Sequence, residues 1–328
     1  MLAPTEAGWH APAPDDHEPA LRVLGPLRWL GPHGEVALGG VRPRRLLAAL
    51  YRLRWVQLLL LLAPPVGWLD IVYLGSLAVL LVSAFWFLDP LTSAVVHQFS
   101  LVNFQRMVDD PTLHVVVFRT VAIAALVTVT DGVLAFPIAY YMARVAAPRT
   151  RSILLMLVLL PLWSSYLVRV YAWRVILSPG GPLEWFFGLF GLKVVLGFSE
   201  TSMWLAFSYI WLPYMILPLF AGLERIPGSL LEASADLGAR AGTTFRRIIL
   251  PMALPALAAG SIFTFSLTLG DYITPQLVSN SQFIGNVIYD SQGVANDIPF
   301  AAAFAIVPIG LMAIYLLIAR KLGAFEAL

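Results

Sequence analysis

Cysteine is absent from this 328-residue chain, and lysine occurs only twice, at Lys193 and Lys321. Without thiols there can be no disulfide, iron–sulfur cluster or thiolate metal site. Neither lysine follows a Gly-rich turn, so the chain carries no phosphate-gripping P-loop. Any nucleotide hydrolysis that serves it is therefore expected in another subunit, with ATP and Mg held there. Charge is scarce as well: 12% of residues are Asp, Glu, Lys or Arg, about half of the ~25% usual for a soluble domain. The five histidines are scattered without metal-ligand spacing, and a net charge of +2 gives no reason to expect nucleic acid as a partner. What fills the chain instead is apolar: 59% of residues are hydrophobic and the mean hydropathy is +0.80. These values place it in a lipid bilayer as helices, because only a helix satisfies its own backbone there.

The first 54 residues stand apart. They are rich in Pro, Gly and Ala, carry Asp15, Asp16 and Glu18, and contain no spanning apolar run. No basic stretch leads into an apolar one, so they do not read as a signal peptide. Residues 21–50 resemble the opening strands of a winged-helix regulator, but a membrane segment follows where a recognition helix would be needed. Residues 1–54 are expected to be a poorly ordered tail, and residues 55–328 a single all-α membrane domain.

Six spans are expected in that domain, at about residues 56–87, 115–144, 152–177, 202–223, 252–273 and 300–319. Prolines 64, 65, 137, 161, 213, 218, 255 and 308 lie within them, which predicts kinks that neighbouring helices accommodate. Orientation follows from arginine. Arg42, Arg44, Arg45, Arg52 and Arg54 precede the first span, Arg149 and Arg151 join the second to the third, and Arg225, Arg240, Arg246 and Arg247 join the fourth to the fifth. Arg320 and Lys321 follow the sixth. The opposite connections hold only Arg106 and Lys193. The positive-inside rule puts both termini and the 224–251 loop in the cytoplasm.

That loop is short and polar between two very apolar segments. Pro227-Gly228 breaks the chain, and Ser229 precedes Glu232 by three residues, the spacing of a capping box. A short helix through Leu237 should end at Gly238, where a left-handed residue is needed. A second helix, carrying Phe245, Arg246 and Arg247, should lead to Leu250-Pro251 and the fifth span. The small residues Ala233, Ser234 and Ala235 would let another surface approach closely.

Glu232-Ala233-Ser234, Gly238 and Ile248-x-Leu250-Pro251 resemble the conserved cytoplasmic loop of permease subunits of binding-protein-dependent ABC importers. The one departure is Ser234, where that family has Ala. The resemblance extends from about residue 58 to 317 and implies the MetI-like fold, with six transmembrane helices and a cytoplasmic coupling helix. Glu232, Ala233, Ser234, Leu237, Gly238, Phe245, Leu250 and Pro251 would then dock an ATP-hydrolysing subunit. It also implies the partners: a second, homologous permease, an ABC ATPase dimer, an extracytoplasmic solute-binding protein and the lipid bilayer of a bacterial cytoplasmic (inner) membrane. Two longer segments, 164–173 and 269–277 followed by 284–289, are similar to the spermidine/putrescine branch.

A polyamine is a flexible polycation, best held by carboxylates and aromatic faces. Asp271, Tyr272, Asp131, Tyr166, Tyr171 and Trp173 are the candidates for its path. Several of these, and their neighbours, have a plainer reading as well. Trp163 and Trp173 suit an interfacial belt, Asp131 could pair with Arg169 or Arg174, and Asp271 could hold the Thr274-Pro275 turn. Asp70 could lie in an interfacial turn of the first span. Other cargoes of the same machine, such as ferric iron, an opine or a small oxyanion, fit the residues too. A secondary transporter would predict inverted repeats with unwound half-helices, and no convincing repeat is present. A membrane-anchored DNA-binding regulator would need residues 1–54 to fold alone.

Overall fold

A computed structural model describes residues 54–192 and 196–321. The tail expected at 1–54 and Lys193 therefore lie outside the described residues, save for Arg54 at the start of the first helix. The chain divides into two compact units between Pro65 and Val66, and every helix after the first belongs to the second unit.

The first helical run comprises α1 (Arg54–Leu69), a five-residue π segment (Asp70–Leu74) and α2 (Gly75–Ser83). A small hairpin comes next, β1 (Phe87–Leu88) paired antiparallel with β2 (Val95–Val96). Its root is fixed by Asn103 on α3 (Val102–Asp109), whose side-chain amide donates to Ala84 O at 3.1 Å and Trp86 O at 2.7 Å. Helix α4 (Pro111–Tyr140) opens with Asp110, whose carboxylate accepts from Thr112 N–H at 2.8 Å, and with Pro111 in the first turn. Both are strong start signals. A π segment, Tyr141–Val145, ends this run.

Helices α5 (Pro148–Trp163) and α6 (Tyr166–Leu177) are joined at Ser164-Ser165 and lead on to α7 (Pro182–Gly188). Then come α8 (Glu200–Glu224), α9 (Gly228–Asp236), α10 (Ala241–Thr244), a π segment (Phe245–Ile249) and α11 (Leu250–Gly270). The chain closes with α12 (Ile273–Val278), α13 (Ile284–Gly293) and α14 (Ile298–Lys321).

Among the described residues, five helical runs are long and apolar enough to cross a membrane: Gln57–Ser83, Pro111–Val145, Glu200–Glu224, Ala241–Gly270 and Ile298–Lys321. The pair Pro148–Trp163 and Tyr166–Gly188 makes a sixth when counted as one broken span. That break corrects the continuous third span expected at 152–177, since the two halves meet at 94°. Hydropathy reports that residues are apolar but not which way the chain runs. Pro161 weakens the last turn of α5, and Ser164 Oγ donates to Pro161 O at 2.7 Å, closing the helix before it can continue. The fifth span also ends earlier than expected, at Gly270 rather than residue 273.

Three helices, α4, α8 and α11, form the centre. Toward the Arg-rich end, Ala135, Ala139, Met215, Leu219, Leu223, Ala253 and Ala256 make one buried cluster. Toward the other end, Val127, Val170, Phe207, Ile210, Trp211 and Phe283 make a second. Helices α8 and α11 approach so closely that glycine is required twice. A Cβ on Gly222 would lie 2.2 Å from Ala256 Cβ, and one on Gly260 would lie 2.8 Å from Met215 Sδ. Small residues at such seams are how helices pack in lipid, where no hydrophobic force draws them together.

Candidate functional site

Two groups of residues carry chemistry, one at each end of the central helices. At the Arg-rich end, α9 is an exposed helix projecting between α8 and the α10–α11 run. Its start corrects the expected capping box. Pro227 is the N-cap, with extended backbone (φ −62°, ψ 133°), and no side chain caps the helix. Ser229 is already its second residue. The fixed φ of proline sets the chain direction that a serine cap would otherwise have to secure.

The other end of α9 matches expectation. Gly238 has φ +71°, Ala239 N–H reaches Ser234 O at 3.0 Å, and Gly238 N–H reaches Ala235 O at 2.8 Å. These two bonds are the Schellman pattern. Glu232, Ala233, Ala235 and Leu237 are exposed, Leu237 by 87%. Ser234 is not: it is buried, and its hydroxyl shares a 2.8 Å hydrogen bond with Thr244 Oγ1. The small residue expected to admit a partner instead fastens α9 to α10. Phe245 leans edge-on against Phe136 of α4, with ring centroids 5.3 Å apart, while Pro251 is exposed and Leu250 half-buried at the start of α11.

The root of α9 is clamped by residues that sequence reasoning passed over. Arg144, at the end of the α4 run, donates to the carbonyls of Leu223, in the last turn of α8, and of Ile226, just beyond it. Arg151 on α5 pairs with Glu224 and lies 4.9 Å from the Phe220 ring centre. Cations at a helix C-terminus satisfy orphan carbonyls and the helix dipole together. In the sequence Arg151 signalled orientation alone, and Arg144 only marked the end of the second span.

At the opposite end, two helix breaks meet. Tyr166, the first residue of α6, donates its hydroxyl hydrogen to Asp271, the residue that ends α11. Thr274 Oγ1 donates to the same carboxylate oxygen at 2.7 Å, and its other oxygen accepts from Ile273 N–H at 2.8 Å. The Tyr166 ring stacks on Trp211 of α8 at 5.6 Å, and the Arg169 guanidinium lies 5.9 Å from it. Tyr272 stacks on Tyr289 of α13 at 4.5 Å, and Asn286 donates to Tyr272 O at 2.8 Å. A Cβ on Gly285 would come within 2.7 Å of Asp271 O. The segments 269–277 and 284–289 therefore form one interlocked unit.

The remaining candidates do not join it. Trp173 packs on Tyr209, ring centres 5.3 Å apart, and Tyr171 is half exposed on another face of α6. Asp131 is fully buried between its neighbours on α4 and makes no hydrogen bond to any described residue. Val127, one turn before it, belongs with Trp211 and Phe207, and Ala135, one turn after, belongs with Met215. It forms no ion pair with Arg169 or Arg174, which instead lie over the rings of Tyr166 and Phe198. A carboxyl enclosed without partners is costly. Asp131→Leu should therefore raise the thermal midpoint of the detergent-solubilised protein, by about 1–3 kcal/mol of added stability. A lowered midpoint would mean that the carboxyl is engaged after all.

Residues 135–324 match the model of the binding-protein-dependent transport system inner membrane component family, more than half of the chain. The chain belongs to that family. This permease is 46% identical over 286 residues to the inner membrane ABC transporter permease protein YdcU of Escherichia coli (strain K12), covering 83% of this chain and 91% of that one. It is 32% identical over 259 residues to the spermidine/putrescine transport system permease protein PotB of the same strain, covering 77% and 93%. A crystal structure of a bacterial alginate ABC transporter with its pentasaccharide-bound periplasmic protein includes a chain of the same fold. It has TM-score 0.67 and 17% identity, covering 86% of this chain and 98% of that one. The permease is thus a multi-pass membrane subunit of an ABC importer.

Proposed function

We propose that this permease forms half of the translocation path of an ATP-driven polyamine importer, and takes force from an ATPase partner through α9. Both termini and the 224–251 loop lie on the cytoplasmic side in this reading, which the arginine distribution supports. The sister permease completes the path, the ATPase dimer binds below, and a solute-binding protein delivers cargo above. ATP and Mg stay with the ATPase, and this chain makes no covalent step.

The observation that carries the coupling role is the rigid, exposed α9, clamped at its root and joined to α11 without a helix break from Ala241 onward. Nucleotide-driven closure of the ATPase would shift α9, and α11 would carry that shift to Asp271 and Tyr166 at the far end. Such a change is a move between two packings, biased by the partner's differential affinity for them.

The cargo reading rests on the likeness to PotB and on the Asp271–Tyr166–Tyr272 unit that the shared segments build. Asp271 holds the turn in either case, so its charge has to be tested apart from its geometry. Asp271→Asn keeps an acceptor for the Ile273 amide and removes the charge. In vesicles containing the whole importer and its binding protein, spermidine uptake should fall about tenfold, a loss of ~1.4 kcal/mol, with assembly unchanged. Unaltered uptake kinetics would leave Asp271 with only the turn to hold. Uptake of ferric iron, an opine or an oxyanion in place of spermidine would move the cargo and keep the machine.

A further inference from the structure

We infer that α7 and the turn after it anchor this chain in the bilayer surface, with Trp185, Phe186, Leu189, Phe190 and Leu192 set among the lipid headgroups and upper acyl chains. The leaflet is the one opposite the Arg-rich loops. All five side chains are exposed, from 49% for Phe186 to 66% for Phe190. Phe186 packs edge-on against Phe187 and Phe190, with ring centres 5.8 and 5.3 Å apart, so the aromatic face is a preformed wedge.

Depth follows from the helix that leads to it. The 16 residues of α5 rise about 24 Å, against a hydrocarbon core of about 30 Å. The bend at Ser164-Ser165 thus falls at least about 6 Å short of the far boundary, and the α6–α7 pair, at 94° to α5, turns to run close beneath it. Trp163 at the end of α5 is 90% exposed, as a belt residue is. On the other side of α7, helix α8 begins at Glu200, which pairs with Arg119 at 2.8 Å. That ion pair marks where charge reaches the headgroup layer.

Chemistry selects the lipid surface over a soluble partner. Between residues 179 and 192 the only charged side chain is Glu184, and its carboxylate is turned back to accept Gly180 N–H at 2.6 Å. A protein-docking patch carries a polar rim around its apolar centre, and apart from Glu184 residues 179–192 supply no charge for one. Trp, Phe and Leu are the side chains that interfacial anchors set at the headgroup boundary.

The absence of cysteine makes the test direct. Trp185→Cys, Phe190→Cys and Leu192→Cys, each in the full chain, are labelled with a fluorophore and reconstituted in phosphatidylcholine vesicles. Leu91→Cys, at the 94% exposed hairpin tip, serves as the reference. Quenching is measured with aqueous iodide, with lipid carrying a nitroxide near the headgroup, and with lipid carrying one deep in the acyl chain. Labels at 185, 190 and 192 should be quenched most by the shallow nitroxide and several-fold less than the Leu91 label by iodide. Iodide quenching equal to that at Leu91 would overturn the inference, as would dominance of the deep nitroxide. Shielding from all three quenchers would overturn it too, because a protein surface would then be the occupant. None of these outcomes depends on cargo or on ATPase docking.

Discussion

Gly222→Leu should leave little folded protein in the membrane. At this position a bare Cβ would lie 2.2 Å from Ala256 Cβ, whereas carbon atoms in contact rest at about 3.5–4.0 Å. No rotamer change relieves a clash between two Cβ atoms, because each is fixed by its own backbone. Helices α8 and α11 would have to separate, and the seam between them is lined by Leu219, Leu223 and Ala253, all fully buried. Separation would open voids along that seam, so the expected cost is about 3 kcal/mol or more, at or beyond the upper end of ordinary overpacking.

The expected result is a collapsed thermal midpoint in detergent and a large drop in yield. Gly222→Ala should show a milder form of the same defect. Pairing it with Ala256→Gly should recover most of the loss, since the double variant moves the methyl group from one helix to the other. Gly260→Ala should be milder still, because Met215 Sδ at 2.8 Å can swing away, although Met215 Cα at 3.2 Å cannot. A wild-type midpoint for Gly222→Leu would mean that α8 and α11 do not meet at this seam.

The seam also shows what could be read before the structure. Long apolar runs fix the number of spans because a continuous apolar segment in lipid satisfies its own backbone as a helix, and the spans around 115–144, 202–223 and 300–319 lie where expected. Direction and pairing are different matters. A glycine inside an apolar helix signals close packing, but nothing in the sequence names Ala256 as the neighbour of Gly222. The 94° bend at Ser164-Ser165 was hidden by largely apolar residues on both sides, with Pro161 and the serine pair itself as the hints. In the 224–251 loop, the left-handed Gly238 was legible because one backbone conformation favours one residue type. The inward turn of Ser234 was not, because a small polar residue suits a docking face and a helix staple equally well. Asp131 and Asp271 read alike in sequence, as carboxylates within or beside spans. Only packing separates one enclosed without a partner from one held by Tyr166, Thr274 and a helix break.

Leu237→Asp should cost the permease its ATPase without costing it its fold. The side chain is 87% exposed, and substitutions at such a site shift stability by no more than about 0.5 kcal/mol. The knuckle that presents it is independently rigid. Proline sets its start, two Schellman hydrogen bonds close its end, and the Ser234–Thr244 bond ties it to the following helix. At 87% exposure the leucine side chain buries little against the described residues, and in the proposed docking role it is the apolar group that a pocket of the partner would bury. Replacing it with a carboxylate should lower ATPase co-purification at least about tenfold, or ~1.4 kcal/mol, with the thermal midpoint unchanged.

Gly238→Val is the companion variant. It forces a β-branched residue to φ +71°, costs about 1–2 kcal/mol, and should lower both docking and midpoint by loosening the knuckle itself. The two variants separate contact from presentation: one removes what the partner grips, the other removes what holds it in place. Normal ATPase recovery with Leu237→Asp would place the grip elsewhere on the loop. Normal recovery with both would remove α9 from the coupling path, and force would then have to enter α11 by the exposed Arg246–Arg247 face.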